Sequence, residues 1–261
     1  MPDLEIQIVL LLGLAAFAAG FIDSIAGGSG LITIPALLLA GFPPVAALGT
    51  NKLQGLFGTA SAALHYAAKG HVDLKRQLPA AMLSFAGGVL GALLATVIPG
   101  GILTAALPFI LVAIALYFAL KPGMDDIDRA ERLPPFLFGL TVVPLIGFYD
   151  GVLGPGTGSF FMLAFVSLAG YGLLKATAHT KLLNFASNLG GFVLFALAGA
   201  IYWKIGLFMG VAQFFGARLG AGLAIAKGAR LIKPLLVIAC VALAARLLMD
   251  PAHPLRTMLG F

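Results

Sequence analysis

Residues 20–35 read GFIDSIAGGSGLITIP, and residues 147–161 read GFYDGVLGPGTGSFF. Each stretch sets an aspartate and then a run of glycines inside a long apolar segment. Both features are costly in lipid. A carboxylate there must be paired or neutralised, and a glycine run interrupts backbone hydrogen bonds that lipid cannot replace. The chain carries the device twice, and the fold has to account for it.

The composition names the solvent. Of 261 residues, 61% are hydrophobic and 10% charged, with a mean hydropathy of +1.06. A soluble domain carries roughly 25% charged residues, so this chain reads as an integral membrane protein. Long apolar runs such as IQIVLLLGLAAFAAGF argue for helices rather than the short alternating strands of a barrel. MPDLEI at the start holds Asp3 and Glu5 and no basic residue, unlike the start of a cleaved signal, so the first helix is expected to be retained. Cys240 lies alone in PLLVIACVALAA and reads as a small core residue, excluding disulfides and cysteine-ligated metals. The net charge of +6 sits in short loops between spans, which argues against nucleic acid as a partner.

Breaks divide the chain into ten segments, at 5–22, 30–42, 46–68, 78–97, 101–120, 134–149, 157–171, 175–199, 205–226 and 231–249. The second, sixth and seventh are short for a full span. With the amino terminus outside, the inner loops hold Lys69, Lys75, Arg76, Lys121, Arg129, Arg132, Lys175, Lys227, Arg230 and Lys233, against Lys204 and Arg256 on the other side. That bias puts both termini on the outer side of the membrane. KPGMDDIDRAERLPP, the one long polar stretch, divides a first repeat (1–120) from a second (134–261), with 121–133 as a cytoplasmic linker.

The halves match. Gly20, Phe21 and Asp23 correspond to Gly147, Phe148 and Asp150 at an offset of 127. After a two-residue insertion in the glycine run, Gly41, Lys52, Gly70, Lys75, Gly87 and Gly91 correspond to Gly170, Lys181, Gly199, Lys204, Gly216 and Gly220 at 129. Five segments per half is an odd number, so the second half is expected upside down relative to the first. Such inverted repeats with interrupted helices are typical of secondary transporters, whose substrates bind where the breaks meet.

An interrupted helix exposes backbone N–H groups at the start of its second piece, and their natural partner is an anion. Gly28, Ser29 and Gly30 form one such start, and Gly156, Thr157 and Gly158 the other, with Ser159 as a further hydroxyl donor. For GGVLG at 87–91 and GARLG at 216–220 the simpler reading is close helix packing. Lys52 and Lys181 each lie near the start of a long apolar helix. Asn184 and Asn188 share the face of Lys181, and Thr50, Asn51 and Gln54 lie beside Lys52. These donors suit an oxyanion, unless the lysines snorkel to headgroups. Asp23 and Asp150 read as proton carriers, or as caps or ion-pair partners. His179 is a proton carrier or substrate donor, and Arg218 neutralises an acid or substrate or reaches the interface. Tyr202 and Trp203 fit an aromatic belt. His65, His71 and His253 look peripheral, and the four histidines make no metal site. GPGTGS lacks the lysine of a phosphate loop, so no ATP-driven step or cofactor is expected.

GFIDSIAGGSGLITIPALLLAGFPPVAALGTNK, followed by GFYDGVLGPGTGSFF and ATAHTKLLNFASN, resembles the sulfite exporter TauE/SafE family of bacterial permeases from about residue 8 to 249. The resemblance implies a duplicated inner-membrane permease for sulfite, sulfonates and other organosulfur anions. It implies functional roles for Asp23, Gly27, Gly28, Gly30, Pro35, Gly49, Thr50, Asn51 and Lys52, and for Asp150, Gly154, Gly156, Gly158, Lys181, Asn184 and Asn188. Ser29 stands where the family's run is often all glycine.

The expectation is an all-α polytopic permease that moves a small, sulfur-containing anion by alternating access. Its partners are the bilayer, the anion, protons as a coupling ion and further copies of itself. The alternatives are an anion channel or uniporter, and a membrane enzyme or assembly factor. The last needs a nucleophile–base pair or metal cluster, which the sequence does not offer.

Overall fold

The computed structural model describes residues 5–95, 109, 112, 113, 115–120 and 125–249. The helices are α1 (Ile6–Ala26), α2 (Gly30–Leu39), α3 (Pro44–Ala68), α4 (Leu74–Ala95), α5 (Pro135–Val152), α6 (Thr157–Ser167), α7 (Leu173–Leu197), α8 (Trp203–Lys227) and α9 (Ala229–Met249). No strand occurs among the described residues. Nine of the ten expected segments appear as these helices. Most of the expected segment at 101–120, with Lys121, His253 and Arg256, lies outside the described residues.

Five of the helices, α1, α4, α5, α7 and α8, are long and apolar enough to cross a membrane. Their outer faces carry large apolar side chains such as Leu14, Leu90, Leu145, Phe215 and Leu219, as lipid requires of a surface. With 10 and 11 residues, α2 and α6 reach about 15 Å, roughly half a hydrocarbon core. Gly27 ends α1 at φ 84° and Gly28 follows at 102°, whereas Gly154 and Gly156 take 84° and 80° before α6. Glycine alone enters that region without strain, so both breaks are written in residue type. In α5 one π-helical turn, Phe138–Val142, leads into Val143–Val152. It adjoins Pro144, which lacks the N–H a regular helix would use.

The packing exchanges partners between the halves: α1 lies along α8, α4 along α5, and α3 touches both α7 and α8. Glycines form the seams. A Cβ on Gly87 would meet the carbonyl of Pro144, and one on Gly91 the carbonyl of Phe148. In the other half Gly216 faces the carbonyl of Phe17, and Gly220 that of Phe21. These are the same contacts with the halves exchanged, since 87 and 91 correspond to 216 and 220, and 17 and 21 to 144 and 148. The glycine pairs at 87–91 and 216–220 therefore serve close packing. Equivalent helices α3 and α7 run antiparallel, with Gly49 at Phe195, Lys52 at Gly191 and Gly55 at Asn188.

Residues 125–133 close one end of the bundle. The carboxylate of Asp126 accepts the backbone N–H of Leu174 at 2.9 Å and of Ala229 at 3.0 Å, so one acid caps the starts of α7 and α9. Asp128 accepts the N–H of Gly172 at 2.8 Å and pairs with Lys175. Partial burial pushes the Asp128 carboxyl up, but the Gly172 N–H and Lys175 ammonium outweigh it and hold the group below the usual carboxylate range. Its folded pKa is depressed, so its stabilisation is present above the unfolded value and disappears as pH falls through the folded one.

Two outcomes check this architecture. Gly91→Leu and Gly220→Leu each force a side chain against backbone, and should lower stability by about 1–3 kcal/mol or more by overpacking; the thermal midpoint of purified protein in detergent reads it. Asp126→Ala removes two caps at about 0.5–2 kcal/mol each, and limited proteolysis within 125–133 should accelerate.

Candidate functional site

The two breaks touch. A Cβ on Gly27 would lie 2.7 Å from the Cα of Gly158, and one on Gly158 would lie 2.7 Å from the Cα of Gly27. Ser159 Oγ donates to the Ala26 carbonyl at 3.0 Å, tying the start of α6 to the end of α1. Around this contact lie four charged side chains, each buried to 98% or more: Asp23, Lys52, Asp150 and Lys181.

They pair across the halves. Lys52 Nζ is 2.9 Å from Asp150 Oδ1 and donates to the Asp150 carbonyl at 2.6 Å. Lys181 Nζ is 3.5 Å from Asp23 Oδ2 and donates to the Asp23 carbonyl. Each lysine therefore serves two acceptors at the end of the helix that precedes the opposite break. A helix C-terminus carries partial negative charge, so carbonyl and carboxylate act together. Two positive and two negative groups cancel, which is the arrangement that lets charges persist in a low dielectric.

The anion expected at the first half-helix start is supplied by the chain itself. Asp23 Oδ1 accepts the N–H of Gly28 at 2.8 Å and of Ser29 at 3.1 Å. A small cavity of about 10 Å³, room for little more than one water, lies between the breaks. Of the residues expected to bind substrate, Gly28, Ser29, Gly30, Asn51, Lys52, Thr157, Gly158, Asn184 and Asn188 line it, joined by Asp23, Asp150 and Gly154. Asn51 Oδ1 accepts from Thr33 at 2.6 Å and from Gln54 at 3.0 Å, which turns its amide nitrogen towards Gly30. Asn188 Nδ2 donates to Asn184 Oδ1 at 3.0 Å.

Other expected members lie elsewhere. Thr50 Oγ1 accepts the Tyr202 N–H at 3.0 Å and anchors the start of α8 instead of facing the cavity. Gly156 is the left-handed residue before α6 and stands outside the lining. Lys181 sits behind Gly158, holding Asp23 rather than lining the cavity. His179 packs with Phe165 and Tyr171 beside a separate cavity of about 490 Å³ that also reaches Arg76, Gln77 and Lys175. Arg218 is exposed on α8 near His65 and pairs with neither aspartate. Thr33 had no signal in the sequence: only the return of α2 against α3 brings it to Asn51. No cluster of His, Cys, Asp and Glu suited to a metal occurs among the described residues.

The model for the sulfite exporter TauE/SafE family matches residues 12–247. The chain belongs to that family. It is 66% identical over 260 residues, all of both chains, to "Probable membrane transporter protein ORF9" of Sinorhizobium sp.. It is 48% identical to a "Probable membrane transporter protein" of Haemophilus influenzae, over 95% of this chain and 97% of that one. It is 47% identical to "Probable membrane transporter protein YfcA" of Escherichia coli K12, over 92% and 91%. No solved structure matches. The chain is thus a multi-pass helical membrane protein of a transporter family.

The crosswise pairs carry a direct test. Lys52→Met strands the Asp150 carboxylate, and breaking a buried pair costs about 3–5 kcal/mol. Lys52→Met with Asp150→Asn removes both charges and should recover most of the lost thermal midpoint. A double variant no more stable than the single would mean that the pair contributes nothing to the fold.

Proposed function

We propose that this protein is a secondary transporter that moves a small anion, of the sulfite or organosulfonate kind, across the bacterial inner membrane by alternating access. The observation that carries the reading is the pair of helix breaks in contact, ringed by two lysines and two asparagine-bearing faces drawn from both halves. The halves, 1–120 and 134–261 with 121–133 as linker, are read as an inverted repeat whose pseudo-two-fold axis passes through the Gly27–Gly158 contact. Antiparallel α3 and α7 and the exchanged glycine seams support this, and such a contact would then lie near the bilayer midplane. The cavity of about 10 Å³ is too small for a sulfonate, so binding one would need the breaks to part. Both termini would face the periplasm, in line with the basic loops. The pairing of a lysine with a carboxylate at each break favours a coupled carrier over an open channel, because a pore would leave these charges hydrated.

Two measurements test this. Proteoliposomes loaded with sulfite, methanesulfonate, sulfate or acetate should show counterflow of the sulfur anions and little of acetate, and Lys52→Met should weaken the anion's affinity roughly tenfold or more. No flux for any of them would remove the reading. In a Cys240→Ala background, Lys69→Cys and Ile127→Cys should label with an impermeant maleimide only after permeabilisation; labelling of both from outside would overturn the topology.

A further inference from the structure

The two ion pairs occupy equivalent places but are built differently. Each carboxylate oxygen of Asp23 has a donor: the Gly28 and Ser29 N–H groups on Oδ1 and Lys181 on Oδ2. Asp150 lacks the backbone donors, and the sequence says why. The position equivalent to Gly28 at the 127 offset is Pro155, which has no N–H. Asp150 Oδ1 meets Lys52 and, at 2.9 Å, Thr157 Oγ1. Oδ2 is buried with no hydrogen-bond partner among the described residues.

Thr157 adds a second sign. Its hydroxyl has one proton, and the Gly154 carbonyl at 2.7 Å is the nearer acceptor. When the hydroxyl donates there, Oδ1 receives no hydrogen bond from it, and Lys52 is left as the donor to that oxygen.

We propose that Asp150 is the transporter's proton-binding site, taking up one proton for each anion that enters the cavity, while Asp23 stays ionised as a permanent cap of the broken helix. The inference rests on the anion-transport reading. The charge balance supports it. The empty site holds Lys52 and Lys181 against Asp23 and Asp150. A monoanion arriving alone would leave one uncompensated negative charge in a buried space, whereas a monoanion with a proton leaves the sum unchanged. The proton comes from the aqueous side on which the anion loads, forms an O–H bond at Asp150, and leaves with the anion. Protonated at Oδ2, the carboxyl becomes a donor that lacks an acceptor in the protein, which an oxyanion supplies. It also relaxes its hold on Lys52, freeing the ammonium for the same anion. Proton and anion binding thus strengthen each other.

The charged and titratable groups around Asp150 are Lys52 from α3 and, across the cavity, Asp23 from α1, with Lys181 of α7 behind Gly158 and Tyr149 on its own helix. On α6 the facing group is the Thr157 hydroxyl, and α4 presents Gly88, Gly91 and Ala92.

The test is calorimetric titration of purified wild type with methanesulfonate, and in parallel with sulfite, in buffers of different ionisation heat. Methanesulfonate keeps a fixed charge, so its affinity should fall about tenfold per pH unit once the carboxyl is ionised in the free protein, with one proton taken up per anion. Asp150→Asn should bind with no proton uptake and an affinity flat in pH, and Asp23→Asn should retain the uptake. Infrared difference spectra of the wild type need no variant, and should show the carbonyl stretch of a protonated carboxylic acid appearing with the anion. Binding by the wild type without proton uptake, uptake that survives in Asp150→Asn, or uptake lost in folded Asp23→Asn would overturn the assignment and leave transport standing. A wild type that binds and moves none of the anions would remove the transport reading, and this one with it.

Discussion

Four charges are buried at one point, and each is balanced by a residue from the other half of the chain. A lone ammonium at the centre of a membrane helix costs about 2.5–3.5 kcal/mol on insertion scales, so two of them would burden the fold unless both acids arrive. That constraint fixes the architecture around it. Lys52 can reach Asp150, and Lys181 Asp23, only if α3 and α7 lie side by side in opposite directions, with each break at the other's flank. The short helices α2 and α6 follow, because a full-length span in either place would fill the centre where the ammonium groups sit.

The glycine seams make this geometry accessible. Backbone must approach backbone along α4–α5 and α1–α8 for the breaks to meet, and any side chain at Gly87, Gly91, Gly216 or Gly220 would hold the helices apart. Between lipid-exposed helices there is little hydrophobic drive to associate, so close van der Waals contact along small residues is the force available. The acids at 125–128 act at the rim, where Asp126 pins two helix starts that come from distant parts of the sequence.

Much of this was legible in the sequence. Glycine runs marked both breaks, the 127 and 129 offsets set matching residues of the two halves side by side, and lysines inside apolar helices pointed to the centre. What stayed hidden was the exchange of partners. Periodicity places Lys52 on a face of α3, but says nothing about which aspartate that face meets. Thr50 illustrates the limit: adjacent to Asn51 in sequence, it points roughly 100° away on the helix and serves Tyr202. Arg218 illustrates another, since a long stem on an exposed face can carry its charge to the surface. The amides at Gly28 and Ser29 were read as donors to an anion; that Asp23 accepts from them depended on α1 ending in a tight turn back on itself.

The exchanged pairing also bears on how the chain is made. Asp23 must wait for a partner 158 residues downstream, and Lys52 for one 98 residues downstream. Synthesis is vectorial, so α1 to α4 enter the bilayer before either salt bridge can close. Until then the nascent first half carries an acid and a base without their final partners. The centre is therefore completed late and in order: Lys52 can meet Asp150 only once α5 has been made, and Asp23 can meet Lys181 only once α7 has followed.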